Sequence, residues 1–287
     1  MGTPILVFFK EKTMPVQKQR KPFGLWSSPI SPDVLSQSLR LDDLAWDSDG
    51  QTLVWVEGRS DRNTLVVQPR GSARRELTQP LVIRGGVGYG GGLLSCANGQ
   101  VYFAEKKGQL FVRGLQHGAA RAITPPFGAA ASPSLSPDGK YVAYVFSDGS
   151  TDLLGLVDAA GKEWPAKLSQ GADFYMQPAW HPSGKMLSWV EWDHPNMPWD
   201  GARLKLASLA GDPPRVTEEK TVGGDGQTPC GQPVFSPDGR WLCFIEAKGE
   251  WEQLVLIDLE DGSRKTLLEA DGYHLMDPAW VQGLRWI

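Results

Sequence analysis

One short phrase recurs along this chain at intervals longer than a hairpin and shorter than a domain. It reads Trp46-DSDGQTLVWVE, Leu135-SPDGKYVAYVF, Trp180-HPSGKMLSWVE and Phe235-SPDGRWLCFIE, with a weaker copy, Ser95-CANGQVYFAE, between the first two. The four strong copies place a bulky apolar residue before a tight turn ending in glycine, and an alternating apolar run after it. The turn glycines Gly50, Gly99, Gly139, Gly184 and Gly239 are 49, 40, 45 and 55 residues apart. A unit of about 40–50 residues holding four short strands is the signature of a β-propeller, whose small sheets bury their faces by stacking on neighbours. The expected fold is therefore all-β, a propeller of four-stranded antiparallel blades.

The repeat around Trp180 shows how one unit becomes one blade. Phe174 to Trp180 forms the inner strand. His181-Pro-Ser-Gly184 turns the chain, with proline setting φ and glycine accepting φ > 0. Lys185 to Trp192 alternates as a half-buried second strand. Arg203 to Leu209 is the third strand, and Val216 and its neighbours supply the outer one. The repeat at Phe235 parses alike, with strands at Trp241–Ile245, Gln253–Asp258 and Lys265–Leu268. In an up-and-down blade the first and third turns share one face of the propeller. The SPDG-type turns therefore lie on one face. The second turns, Gly58–Arg62 and Asp193–Gly201, lie on the other, where the less stereotyped loops are expected to carry function.

Asp277-Pro-Ala-Trp280 matches Gln177-Pro-Ala-Trp180 and resembles Gln232-Pro-Val-Phe235. It is expected to open a sixth repeat, with Gly283 as its turn glycine. About five blades plus the start of a sixth make an incomplete ring, so the propeller is expected to be truncated at its C-terminus. Its open strand edges invite self-association. The propeller domain is assigned to residues 20–287. Residues 1–19 read as a disordered or non-native extension, with Met14 as the natural start.

Composition narrows the function. The net charge is −4 and no run of lysine or arginine forms a stripe, which excludes nucleic-acid binding through phosphate neutralisation. No apolar run approaches the ~18 residues that span a membrane, and Ile5–Phe9 is too short for a signal segment. A cytoplasmic protein is expected. Cys96, Cys230 and Cys243 lack metal-ligand spacing and read as reduced, buried thiols. The recurring tryptophans Trp46, Trp180 and Trp280 read as anchors between blades.

A serine nucleophile on a strained turn calls for G-x-S-x-G, and the sequence has none. No catalytic residue is assigned. The stretch Gly85–Gly92 resembles a phosphate loop in composition only and reads as a flexible loop between blades. His117, His181, His194 and His274 share no ligand spacing, so no metal or other cofactor is expected. Asp61, Asp193 and Asp200 would share a face, which leaves a propeller glycosidase as one reading.

Four segments together, Lys21–Leu35, Val56–Arg62, Asp193–Gly201 and the SPDG repeats, resemble the N-terminal propeller of the prolyl oligopeptidase family of serine peptidases, in particular its bacterial dipeptidyl-aminopeptidase and acylaminoacyl-peptidase-like branch. The resemblance runs from about Arg20 to the C-terminus. It implies a propeller that gates and docks peptides for an α/β-hydrolase domain, which this chain does not contain. Peptide substrate would then be met together with that domain, and no activity is expected of the chain alone. Arg59, Asp61, Arg62, His194, Trp199, Asp200 and Arg203 match family motifs as substrate-facing loop positions. Ion-paired bracing of the loops is the competing role for Arg59, Asp61, Arg62 and Arg203. TolB-like propellers carry the same repeat phrase, so a stand-alone interaction module is the alternative.

Overall fold

A computed structural model describes residues 20–287 apart from positions 27, 29, 37, 38 and 79. The extension assigned to residues 1–19 lies outside the described residues. The described residues before Leu39 cluster as a unit of their own, which carries one short helix, Pro32–Ser36. Leu39–Ile287 forms the second unit, built of five four-stranded antiparallel sheets.

Each sheet is ordered as its strands occur in the chain. Blade 1 comprises Arg40–Trp46, Thr52–Gly58, Asn63–Pro69 and Arg75–Glu76. Blade 2 comprises Leu94–Ala97, Gln100–Ala104, Leu110–Gly114 and Arg121–Ala122. Blade 3 comprises Ala129–Leu135, Tyr141–Ser147, Asp152–Asp158 and Ala166–Ser169. Blade 4 comprises Phe174–Trp180, Met186–Trp192, Arg203–Ala210 and Arg215–Gly223. Blade 5 comprises Cys230–Phe235, Trp241–Lys248, Trp251–Asp258 and Arg264–Glu269. The five turn glycines all have positive φ, between 62° and 75°, so these turns specify glycine.

The period of two along a strand divides the core into seams. In blade 4, Leu187 and Trp189 pack toward blade 3, while Val190 and Trp192 pack toward blade 5. In blade 3, Val142 and Tyr144 face blade 2, and Ala143 and Val145 face blade 4. Blades 1 and 2 meet through Val54, Val56, Val101 and Phe103. Four apolar clusters thus join five blades, and among the described residues none joins blade 5 to blade 1. Leu41, Leu44 and Trp46 accordingly stand 68, 63 and 58% exposed on blade 1.

The inner strands of blades 3, 4 and 5 share a kink. Ser132, Gln177 and Gln232 each precede a proline and sit at φ 51°, 55° and 63°. At each the pairing with the second strand slips by a bulge. Left-handed backbone costs a non-glycine residue about 1–2 kcal/mol, and here it aims polar side chains at the ring's centre. Gln177 Oε1 accepts the Gln232 backbone N–H at 2.7 Å, tying blade 4 to blade 5.

The C-terminal segment runs through that centre. Gln282 is buried; its Nε2 donates to Tyr175 O (2.8 Å), and its Oε1 accepts from Ser132 Oγ (2.9 Å). Gln232 Nε2 donates to Leu284 O, and Gln232 Oε1 accepts the Trp286 N–H. Asp277–Trp280, expected to open a sixth blade, forms no strand, and only Gln282 makes a bridge, to Gly91. Gly85–Gly92, expected as a flexible loop between blades, lies in the link from blade 1 to blade 2 and packs against this segment. A Cβ on Gly91 would stand 2.2 Å from Gln282 O, and one on Gly92 2.9 Å from Gln282 Cβ, so glycine is what admits the segment.

Two further expectations change. Trp180 does bridge blades, donating from Nε1 to Ser134 O at 2.9 Å, but Trp46 and Trp280 are exposed. Trp46 faces the side of blade 1 that no other blade covers among the described residues, and Trp280 lies outside any blade. Of the thiols, only Cys230 is fully buried. Burial, with Asp47 beside it, still pushes the half-buried Cys96 up to about 12. No helix among the described residues is long and apolar enough to cross a membrane.

Candidate functional site

The strand order places the turns Gly58–Arg62 and Asp193–Gly201 at the blade ends opposite the SPDG-type turns. On this loop face a cleft of about 540 Å³ opens between blades 1 and 2 and the C-terminal segment. Its walls come from the second turn of blade 1, the link Val82–Leu93, Lys106 and Val281–Leu284. A second, smaller cleft of about 190 Å³ lies over blades 4 and 5, with Trp199, Glu252, His274 and Trp286 in its walls. Trp199 packs on Trp280 at 4.3 Å between ring centroids, and Trp280 meets Tyr89 edge-on at 6.1 Å. Tyr89 lines the first cleft and Trp199 the second, so this aromatic trio links them.

The second strand of a blade reaches the loop face at a buried glutamate. Glu57, Glu105, Glu191 and Glu246 hold equivalent places in blades 1, 2, 4 and 5. Burying a carboxylate demands partners. Glu57 accepts from Trp55 Nε1, Arg59 and Arg74 at 2.9–3.1 Å. Glu191 accepts from Trp189 Nε1 at 3.0 Å and from Arg203 at 3.3 Å. Glu246 accepts the Gly224 N–H at 2.7 Å and pairs with Arg264.

The substrate-facing positions expected from sequence divide accordingly. Arg59 bridges Glu57 and Glu76, each at 2.9 Å. Arg62 pairs with Asp61 at 2.9 Å and reaches Glu76 at 3.4 Å. All three of Arg59, Asp61 and Arg62 line the first cleft. Trp199 lines the second. Arg203 joins Glu191 to Asp193 (2.7 Å), Asp200 accepts the Met197 N–H (2.9 Å), and none of the three carboxylates Asp61, Asp193 and Asp200 shares a partner with another. Asp193, His194, Asp200 and Arg203 line neither cleft. His194 bonds Asp173 through Nδ1 at 3.0 Å and packs on Phe174. The His194 backbone N–H, then its ring, hold the Asp173 carboxyl below the ordinary carboxylate range. His181 serves its turn, bonding Ser183 and, across a seam, Gly239 O at 2.6 Å. Among the described residues no group of three or more His, Cys, Asp or Glu is placed to hold a metal ion.

Sequence reasoning missed the residues that shape the centre. Ser132, Gln177 and Gln232 had a signal, a polar residue before proline at the same place in three of the five repeats. Asp43, which accepts the Leu93 N–H at 2.9 Å and the Leu94 N–H at 3.3 Å, had none. Tyr89, Trp280, Arg84 and Lys106 were also missed.

No protein-family model and no curated protein matches the sequence. Solved structures do. A puromycin-hydrolysing peptidase from Mycobacterium tuberculosis superposes on 93% of this chain with a TM-score of 0.80 and 26% identity. A puromycin hydrolase gives 0.81 over 93%, again at 26% identity. This chain spans 44% of the length of each. TolB from Acinetobacter baumannii matches 81% of the chain at TM-score 0.56, and its 14% identity speaks to fold alone.

Proposed function

We propose that this chain, whose propeller matches that of a prolyl-oligopeptidase-family peptidase, docks short peptides and gates their access to a serine-peptidase active site. The observation that carries the reading is the superposition of nearly the whole chain on less than half of a puromycin-hydrolysing enzyme. Topology adds to it. In every blade the inner strand begins, and the outer strand ends, on the loop face. Both clefts and the aromatic trio open on that same face. Rings with exposed faces and a polar cleft beside them suit an aminoacyl or peptidyl ligand.

The test is direct binding. Puromycin and an unlabelled tripeptide are titrated into the 287-residue chain while tryptophan fluorescence is followed. Saturable quenching that weakens in Trp280→Ala is the expected result. No saturable change with either ligand overturns the reading.

A further inference from the structure

We propose that Arg84 and Lys106 form a carboxylate-binding subsite in the loop-face cleft, taking the C-terminal carboxylate or an acidic side chain of a docked peptide. The inference rests on the reading of this face as a peptide-docking surface.

It begins with one pair of residues. Ile83 and Glu105 form an antiparallel bridge between the link and the second turn of blade 2. The Arg84 N–H donates to Ala104 O and the Lys106 N–H to Val82 O, each at 3.0 Å. Successive side chains of such a pair point to opposite faces. Ile83 and Glu105 go inward and are buried. Arg84 and Lys106 therefore share the outward face as diagonal neighbours, ~7–8 Å apart at their backbones. Both side chains are exposed and both line the cleft.

Charge accounting singles the two out. The cleft is lined by five basic residues, Arg40, Arg59, Arg62, Arg84 and Lys106, and three acidic ones, Asp42, Asp43 and Asp61. Arg40 is paired with Asp42, Arg59 with Glu57 and Glu76, and Arg62 with Asp61 and Glu76. Asp43 is taken by backbone N–H groups. Arg84 and Lys106 have no side-chain partner among the described residues, and their neighbour Glu105 turns away and accepts the Lys107 N–H. Two like charges held side by side on a pinned backbone repel each other, and an anion between them relieves that repulsion. Carboxylate is the anion a peptide brings. The exposed Tyr89 ring offers the adjoining wall for the residue that carries it.

The experiment compares three fluorescent tetrapeptides by anisotropy with the 287-residue chain. One has a free C-terminal carboxylate, one is its neutral amide, and one is an amide with an internal glutamate. At least one carboxylate peptide is expected to bind about tenfold tighter than the neutral amide. Which one does so identifies the source of the carboxylate. Arg84→Ala/Lys106→Ala should erase the preference and leave neutral-amide binding unchanged, whereas Arg84→Lys/Lys106→Arg should keep it. Near-UV circular dichroism verifies that the exposed substitutions leave the fold intact. Equal binding of all three peptides, or a preference that survives the double alanine variant, overturns the inference and leaves peptide docking standing. Binding of none of the three overturns both.

Discussion

At the residue scale, the buried glutamates explain why arginines crowd the loop face. Glu191 is the clearest case, because Trp189 is fully buried and its Nε1–H has that carboxylate as acceptor. Glu191→Ala is expected to cost about 1–3 kcal/mol, since a buried donor is left without a partner. Glu191→Gln keeps an acceptor and should cost less; urea midpoints decide between them. Asp43 tests the opposite balance. Burial raises its pKa above the ordinary 3.8, outweighing the Leu93 N–H, the nearby Arg285 and the other backbone donors that favour the anion. A raised folded pKa means that the folded state holds the proton more tightly. Its contribution to stability is therefore fullest below 3.8 and declines as pH rises through the folded value. Asp43→Asn should show a flatter stability profile above about pH 4 and an unchanged or higher urea midpoint at about pH 7.

At the element scale, the bulged inner strand is the device that turns a blade into part of a ring. Its left-handed residue forfeits regular pairing and gains a contact with the next blade or with the C-terminal segment. Gln232 makes two such bonds to that segment, at φ 63°. Gln232→Ala loses both bonds and keeps the strain. Gln232→Gly loses the bonds and releases the strain. Glycine should therefore be less damaging than alanine by about 1 kcal/mol, the reverse of their order in a regular strand. Thermal denaturation of the two variants measures the difference, and alanine proving the milder change would refute this account of the bulge.

At the scale of the whole molecule, stability should follow the seams. Blades 2, 3 and 4 are packed on both faces, while blades 1 and 5 each have one seam. In stacked repeats stability is a sum of units and nearest-neighbour interfaces. Hydrogen exchange is expected to be slowest in Tyr141–Ser147 and Met186–Trp192. It should be faster in Arg40–Trp46 and fastest in the fully exposed outer strand Arg264–Glu269. Uniform protection across the five blades would show that cooperativity does not follow the seams.

The sequence by itself determined the blade. Its turn glycines, alternation and spacing are local, and the inner strand expected at Phe174–Trp180 is the strand observed. The second strand of that blade, expected from Lys185, begins at Met186. The tertiary structure decided everything that depends on how distant segments meet. It alone placed Gln282 against Tyr175 and Ser132, turned a glycine-rich stretch into the cradle of the C-terminal segment, and left Trp46 exposed. It also set Arg84 beside Lys106, across a single bridge between a link and a turn. Periodicity reports which face of a strand is apolar. It carries no record of which blade covers that face, or of which charge across the cleft is already paired.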